Sequence, residues 1–234
     1  MRCLIICGGK GTRLKSVTQN FPKSIVPVGK TPFLLYLFDL IIKKSIKEIT
    51  LCTGIGHQQI KSKVGDRYKS LSFTYSKESK PLGTGGAILK AIQQFKDEQF
   101  LVLNGDSYCN FDIPRSTSNI GNKSLIFTHK VSNISRYGEV VFDENFKVTS
   151  FEEKNGANRE GFINAGIYLF QRTDIENFPQ DTYISLEKDI LPKLIGNLSI
   201  VPCEGGFIDI GTPDSYKEAE RFFAKELKKT VHAH

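Results

Sequence analysis

The order of apolar segments in the chain predicts an α/β fold with a mixed, mostly parallel central sheet flanked by helices. Residues 2–7 form a short apolar run that is typical of a buried strand. Residues 33–43 carry apolar side chains at spacings of three and four, which predicts an amphipathic helix. Strand-like and helix-like segments then alternate up to residue 103, and this order implies parallel strands joined by right-handed crossovers.

The two halves of the chain differ in their helix content. In the first half the further predicted elements are strands 48–53, 71–76 and 99–103 and helices 57–64 and 84–95. In the second half they are strands 123–130, 138–142, 146–151, 161–170, 198–202 and 206–210 and helices 185–195 and 213–228. A parallel α/β half is therefore joined to a mixed half.

Length and composition predict one domain over residues 1–234. A hydrophobic share of 39% and a charged share of 24% are those of an ordinary soluble protein. The sequence contains no repeat, low-complexity tract or Pro/Ser-rich linker that would divide it. In open α/β sheets the substrate crevice lies outside the carboxyl ends of the parallel strands, and we expect it there.

The net charge of +7 would suit nucleic acid, anionic lipid or small phosphorylated molecules. Lys and Arg are spread along the chain, and no nucleic-acid-binding motif is present, so we expect small phosphate-bearing substrates and no nucleic acid. No segment approaches the roughly 20 apolar residues of a membrane helix. The first residues resemble a buried strand rather than a secretory signal, so we expect a cytoplasmic protein without a membrane partner.

The cysteines and histidines show no metal-binding spacing. The five cysteines include no CxxC pair, and the four histidines form no HExxH motif. We therefore interpret the cysteines as small buried hydrophobic residues.

Gly8, Gly9 and Gly11 lie in a loop directly after the first strand. Glycines let backbone N–H groups approach an anion closely, which predicts a phosphate-binding loop, with a plain turn as the alternative. The loop is not a P-loop, because GxxxxGK[ST] is absent. It is also a poor dinucleotide fingerprint, because Leu14 stands where Gly or Ala is required.

Lys23 lies between two prolines, Pro22 and Pro27, which restrict the backbone on both sides. A stiffened loop of this kind can hold an ammonium group in place. The alternative is an ordinary surface lysine.

Asp106 and Asp209 each follow an apolar run, 100–103 and 206–208 respectively, and so lie at strand ends. Mg²⁺ prefers one or two carboxylates together with phosphates and water. The pair therefore predicts a magnesium site, and the alternative is two ordinary strand-end aspartates.

A series of motifs resembles, in order, those of the nucleotidyltransferases that activate sugar 1-phosphates. The motifs are Gly8–Leu14, Pro22–Val28, Leu82–Ala87, Asn104–Asp106, Glu153–Lys154, Asn164–Gly166 and Asp209–Pro213. The resemblance covers nearly the whole chain. It implies a single-domain, Rossmann-like nucleotide-diphospho-sugar transferase fold and a Mg²⁺-dependent reaction of class EC 2.7.7, in which NTP and sugar 1-phosphate give NDP-sugar and pyrophosphate.

The resemblance also implies a role for each matched residue. The catalytic cations are Arg13, at the β,γ-phosphates, and Lys23, at the α-phosphate. The nucleotide-binding residues are Gly8, Gly9, Gly11, Thr12, Gly83, Gly86 and Asp106. The sugar-phosphate-binding residues are Gly138, Glu153, Lys154, Asn164 and Gly166, and the Mg²⁺ ligands are Asp106 and Asp209. Residues 1–110 are thus expected to form a nucleotide-binding half and residues 111–234 a sugar-phosphate-binding half.

Within this family the chain is similar to the short D-glycero-D-manno-heptose 1-phosphate guanylyltransferases. The similarity is carried by 136–138, 187–189 and 206–211. It implies that GTP and the heptose 1-phosphate give GDP-heptose for a surface polysaccharide, capsule or S-layer glycan. Residues 76–83 are expected to contribute to recognition of the base. We expect a monomer or a homodimer.

Four alternatives stay open at the level of sequence. Within the enzyme class they are a uridylyltransferase for N-acetylmuramic acid or hexose 1-phosphate and a cytidylyltransferase for sugar or choline phosphate. Outside it they are a glycosyltransferase, which is disfavoured by the absence of an Asp-x-Asp motif at Asp106, and a non-catalytic nucleotide-sugar-binding protein. The presence of Arg13, Lys23 and Asp209 favours an enzyme over a binding protein.

Overall fold

The computed structural model describes residues 1–9, 21–114, 123–152 and 156–231. The strands of this part of the chain are β1 Arg2–Ile6, β2 Pro27–Val28, β3 Thr31–Pro32, β4 Glu48–Thr53, β5 Arg67–Tyr68, β6 Leu71–Lys77, β7 Gln99–Asn104, β8 Ser107–Cys109, β9 Ser124–Val131, β10 Glu139–Phe142, β11 Val148–Glu152, β12 Gly161–Gln171, β13 Leu198–Cys203 and β14 Phe207–Asp209. Its α-helices are α1 Phe33–Lys43, α2 His57–Val64, α3 Gly83–Ile92, α4 Arg172–Ile175 and α5 Pro213–Val231.

The main sheet has the order β11-β10-β12-β7-β1-β4-β6-β5, and β9 and β13 extend it beside β12. β7, β1, β4 and β6 are parallel, whereas β12 runs antiparallel to β7. Ile6 pairs with both Cys52 and Asn104, so β1, β4 and β7 end at the same edge. The predicted α/β fold with a mixed, mostly parallel sheet is confirmed.

β1 is buried on both faces, as expected for a central parallel strand. Cys3 and Ile5 belong to the hydrophobic core on one face, where α1 and α5 pack, and Leu4 belongs to the core on the other face, where α3 packs. Side chains alternate between the two faces because the strand period is two residues. The sheet therefore separates two cores and holds helices on both sides.

The last helix, α5, begins with Pro213. Proline has no backbone N–H, but the first N–H groups of a helix have no partner within the helix, so no hydrogen bond is lost there. The hydroxyl of Thr212 accepts from the backbone N–H of Ser215 at 3.3 Å and caps this end. Phe223 of α5 packs edge-to-face on Phe33 of α1, with 5.9 Å between ring centroids. α5 carries charged residues throughout, and within the described ranges no helix is long and apolar enough to span a bilayer.

The segment predicted as one helix over 185–195 is helical but irregular. A π-helical turn at Leu186–Ile190 is followed by a 3₁₀ turn at Leu191–Leu194. Pro192 cannot donate a backbone hydrogen bond, which interrupts a regular α-helix at this position. The predicted helix is therefore present, and it is a π-helical turn followed by a 3₁₀ turn rather than a regular α-helix.

The strand predicted at 206–210 is shorter, Phe207–Asp209, and lies outside the main sheet. It pairs antiparallel with β8, which the sequence patterns did not predict, and Asp209 lies opposite Ser107. A three-residue strand is too short to show the period-two alternation on which strand prediction depends.

The carboxyl end of α3 is closed by the side chain of Arg172. Its guanidinium donates to the backbone carbonyls of Ile92, Phe95 and Asp97 at 2.9–3.1 Å. The last carbonyls of a helix have no partner within the helix, and a cation is favourable there. This contact ends the helix before residue 95, where the sequence pattern placed its end, and ties α3 to the end of β12.

Arg172→Ala is expected to lower the free energy of unfolding by about 2–4 kcal/mol, because three part-buried carbonyls lose a charged donor. Urea unfolding followed by circular dichroism measures this change. Lys130→Ala is the control, because Lys130 pairs with Glu160, both side chains are more than half exposed, and the loss of this pair is expected to leave the midpoint unchanged. Equal midpoints for both variants would contradict the capping role of Arg172.

Candidate active site

A cleft of about 480 Å³ opens at the edge where β1 and β7 end. This is the edge at which ligands bind in open α/β sheets. The residues that line it are Ile6, Cys7, Gly9, Lys23, Ser24, Thr84, Asn104, Gly105, Asp106, Ser107, Tyr137, Asn164, Gly166, Glu187, Phe207, Asp209 and Gly211. The predicted residues Gly9, Lys23, Asp106, Asn164, Gly166 and Asp209 are thus brought together from distant parts of the chain.

Asp106 and Asp209 lie side by side on adjacent loops. The backbone N–H of Ile210 donates to the carbonyl of Asp106 at 3.0 Å, and this bond holds the two strand ends together. The N–H of Gly211 donates to Oδ1 of Asp209 and orients that carboxylate.

Lys23 bridges the two carboxylates. Its Nζ lies 2.5 Å from Oδ2 of Asp106 and 3.8 Å from Oδ1 of Asp209, and its side chain is only 14% exposed. The lysine begins a 3₁₀ turn, Lys23–Ile25, that follows Pro22. A single cation can therefore contact both carboxylates at once.

The same geometry fits a Mg²⁺ ion. Two carboxylates with open space beside them suit Mg²⁺, which completes its shell with phosphate oxygens and water. The described residues contain no cluster of three or more His, Cys, Asp or Glu side chains, as an all-protein metal cage would require.

The first glycine loop approaches β4 closely. A Cβ on Gly8 would lie 3.0 Å from the backbone nitrogen of Gly54, so this position requires glycine. Gly9 lines the main cleft, and nothing lies within 4 Å of the position of its Cβ. Gly11, Thr12 and Arg13 lie outside the described residues, and their roles stay predictions.

A smaller cleft of about 70 Å³ lies behind Gly8. Gly8, Gly54, Ile55 and Glu78 line it, together with residues 79–81. The carboxylate of Glu78 accepts from the N–H of Leu82 at 3.1 Å, and burial raises the pKa of Glu78. Residues 78–81 of this lining belong to the segment 76–83, which was expected to contribute to recognition of the base.

Gly83 and Gly86 begin α3 and pack against another part of the chain. Gly83 has φ +74°, and a Cβ there would lie 2.4 Å from the carbonyl oxygen of Ile184. A Cβ on Gly86 would lie 2.8 Å from the carbonyl oxygen of Thr182. These contacts give both glycines a structural role, and their predicted contact with ribose and base stays a prediction.

Thr84, next to Gly83, joins α3 to the π-helical turn. Its hydroxyl accepts from the N–H of Leu186 at 2.8 Å and donates to Oε2 of Glu187 at 3.1 Å. Both Thr84 and Glu187 line the main cleft. Neither was a predicted site residue, although Glu187 lies in one of the motifs that carried the heptose resemblance.

The wall formed by β12 contains a β-bulge between Asn164 and Ile167. Gly166 has φ +75° there, and a Cβ on it would lie 2.5 Å from the hydroxyl of Ser107. The bulge turns Asn164 toward the cleft, a common use of bulges next to binding sites. Glycine is required at 166 by backbone conformation and by packing against β8.

Of the other residues predicted to bind the sugar phosphate, the structure describes Gly138. Gly138 precedes β10, and a Cβ on it would lie 3.1 Å from the carbonyl oxygen of Glu152. Glu153 and Lys154 lie outside the described residues. Contacts of all three with a sugar phosphate stay predictions.

Three aromatic side chains that were not predicted as site residues pack together, and two of them, Tyr137 and Phe207, line the cleft. Phe207 stacks on His129 at 5.4 Å between ring centroids and contacts Tyr137 edge-to-face at 6.0 Å. Burial lowers the pKa of His129, which favours the neutral ring. Tyr137 and Phe207 lie within the segments 136–138 and 206–211 that carried the heptose resemblance, whereas no sequence motif contains His129.

The cysteines are packing residues, as predicted. All five are free and buried. Cys7 lines the cleft, and burial, together with the charge of Asp106, raises the pKa of its thiol to about 12. The thiol is therefore protonated at neutral pH and is not a nucleophile.

The chain matches a known protein family and is similar in sequence to proteins of described function. Residues 2–226 match the family described as Nucleotidyl transferase. The chain is 36% identical to the D-glycero-alpha-D-manno-heptose 1-phosphate guanylyltransferase of Campylobacter jejuni, over 92% of this chain and 97% of that protein. It is 35% identical to the protein of the same description from Aneurinibacillus thermoaerophilus, over 94% of this chain and 97% of that protein.

A solved structure has the same fold. The crystal structure of HddC from Yersinia pseudotuberculosis complexed with GMP-PN superposes with a TM-score of 0.85 at 35% identity, covering 95% of this chain and 99% of that one. The match covers 95% of the chain and so extends over both halves. The chain therefore belongs to the nucleotidyl transferase family.

Proposed function

We propose that the protein transfers GMP from GTP to D-glycero-D-manno-heptose 1-phosphate and forms GDP-heptose and pyrophosphate. One observation carries the reaction class. Lys23, Asp106 and Asp209 converge in a cleft that Gly9 and Asn164 also line. Nucleotidyl transfer needs negative groups to be aligned and neutralised, and this arrangement supplies both.

In this proposal Asp106 and Asp209 would hold Mg²⁺, which would supply positive charge beside the triphosphate. Lys23 contacts the α-phosphate, and Arg13 binds the departing β,γ-phosphates through its planar fork. No general base is needed, because the attacking oxygen of the sugar phosphate is already ionised at pH 7.

The two halves of the chain divide the substrates. Residues 1–110 bind the nucleotide through Gly8, Gly9, Gly11, Thr12, Gly83 and Gly86. Residues 111–234 bind the sugar phosphate through Gly138, Glu153, Lys154, Asn164 and Gly166. Carboxylate and carboxamide groups together provide the acceptors and donors that sugar hydroxyls need.

Guanine selectivity is assigned to the small cleft. A carboxylate only accepts hydrogen bonds, and guanine presents the adjacent donors N1–H and N2–H₂ on one edge. Glu78 lies in the cleft with its carboxylate oxygens 3.6 Å from the Cβ positions of Gly8 and Gly54, so a planar base could rest on the glycines and face Glu78. The relatives described as guanylyltransferases and the GMP-PN complex of HddC support the same base.

We infer the heptose acceptor from the two relatives that are described as heptose 1-phosphate guanylyltransferases. We further propose that the reaction takes place in the cytoplasm, where GTP is available, and that GDP-heptose serves a surface polysaccharide, capsule or S-layer glycan. We also propose that the protein is a monomer or a homodimer.

Asp106→Asn and Asp209→Asn are each expected to lower kcat/KM at least about a hundredfold, because each removes half of the metal-binding charge. Pyrophosphate release at saturating GTP and limiting Mg²⁺ measures the effect. Asp112→Asn is the control, because its side chain is 98% exposed and pairs with Lys44 outside the cleft. Near-normal rates for either cleft variant would contradict the metal assignment.

Glu78→Gln is expected to lower kcat/KM for GTP roughly 10- to 100-fold, because the amide presents a donor where guanine also presents one. The rate with UTP is expected to change less, so the GTP-to-UTP ratio falls. Glu160→Gln, a surface change, controls for the loss of charge. An unchanged ratio would show that another group reads the base.

The substrate panel is the direct test of the proposed function. Pyrophosphate release is measured for GTP, UTP, CTP and dTTP against heptose, mannose, glucose and amino-sugar 1-phosphates. GTP with the heptose 1-phosphate is expected to give the highest kcat/KM. A preference for UTP with a hexose or amino sugar would replace the specificity and keep the reaction class. No turnover of any pair would favour a non-catalytic binding protein.

A further inference from the structure

The carboxamide of Asn164 is held by two contacts within its own strand. Its Nδ2 donates to the hydroxyl of Tyr168 at 2.7 Å, and its Oδ1 accepts from the N–H of Gly166 at 2.9 Å. A carboxamide has two N–H groups and two lone pairs on oxygen. One donor and one acceptor of Asn164 therefore remain for a molecule in the cleft.

Tyr168 is the fixed partner in this arrangement. Its side chain is fully buried, its ring stacks on Phe170 at 5.5 Å, and the strand positions opposite it are Val102 and Ile126. Burial raises the pKa of Tyr168, which keeps its hydroxyl protonated at neutral pH. A ring packed on all sides cannot move with the cleft, and its hydroxyl is a rigid reference point.

We propose that Tyr168 is a positioning residue that orients the carboxamide of Asn164 toward the hydroxyl groups of the sugar 1-phosphate. The inference rests on the proposed function, in which Asn164 binds the sugar. Tyr168 itself does not line the cleft. It acts through Asn164, and the β-bulge at Gly166 brings residues 164 and 168 into contact although they are four positions apart in a strand.

The effect of this residue is specific to one substrate. Without the hydroxyl, the carboxamide of Asn164 loses one of its two anchors and can rotate, while the ring of a phenylalanine keeps the core filled. Binding of the sugar weakens equally in the ground state and the transition state, so KM for the sugar 1-phosphate rises and kcat changes little. Gly8, Gly83 and Gly86, which are proposed to bind GTP, contact other parts of the chain and not the hydroxyl of Tyr168.

Tyr168→Phe tests the inference with GTP and the sugar 1-phosphate that the unmodified protein uses best. KM for the sugar 1-phosphate is expected to rise about tenfold, the factor that corresponds to one lost hydrogen bond, and KM for GTP is expected to stay within about twofold. Tyr36→Phe is the matched control, because the hydroxyl of Tyr36 donates to the carbonyl of Val28 at 3.3 Å and Tyr36 does not line the cleft. Equal rises in both KM values, or a fall in kcat alone, would overturn the positioning role.

A double-mutant cycle separates positioning from a general structural effect. In an Asn164→Ala background, Tyr168→Phe is expected to raise KM for the sugar 1-phosphate by less than about twofold, because its target is already absent. A full tenfold effect in that background would overturn the inference.

A measurement on the unmodified protein keeps the inference testable if Tyr168→Phe does not fold. The side-chain amide of Asn164 is assigned by NMR through its loss in Asn164→Ala. One of its two hydrogens is expected to be protected from solvent exchange, and exchange of both at the rate of the exposed Asn145 would overturn the contact. Absence of turnover by the unmodified protein would overturn the proposed function and this inference together, whereas normal turnover with unchanged KM values in Tyr168→Phe overturns this inference alone.

Discussion

The site depends on the way β1 ends between its two parallel neighbours. The carbonyl of Ile6 accepts from the backbone N–H of Gly105 at 3.0 Å, and a Cβ on Gly105 would lie 2.5 Å from the oxygen of Ile6. Only glycine permits this approach. The contact places the end of β1, which Gly8 and Gly9 follow, directly beside the loop that carries Asp106, so the start of the predicted phosphate-binding loop and a predicted metal ligand share one edge. β1 itself is fixed because both of its faces are buried.

Charge organises the open end of the cleft. Lys23, Asp106 and Asp209 come from a proline-flanked turn, the end of β7 and the end of β14, and they meet within hydrogen-bonding or ion-pair distance. Carboxylates gathered without a cation would repel one another, so the folded chain keeps an ammonium between them. A substrate that brings phosphates and a divalent ion finds both signs of charge already positioned, which lowers the reorganisation needed for transfer.

The motif glycines have more than one physical reason to be glycine. Gly83 and Gly86 allow α3 to contact the chain near Ile184, and Gly166 allows the bulge of β12 to pack on Ser107. The same close packing carries Thr84 and Asn164 to the cleft wall. Glycines that a motif associates with a ligand can thus act by bringing other side chains to it, and the inferred role of a buried tyrosine behind Asn164 follows the same principle.

The sequence alone determined the longer strands and helices and their order, because strand and helix periods of 2 and 3.6 residues are local properties of the chain. It also indicated Lys23, Asp106, Asp209 and Asn164, since a motif joins each to a strand end or turn. The tertiary structure alone decided that β8 pairs with β14 and that 185–195 is an irregular helix. It also decided that Glu78 lines the smaller cleft and that Tyr168 contacts Asn164 from the core. These features depend on contacts between residues far apart in the chain, on burial and on a bulge, and no local period encodes them.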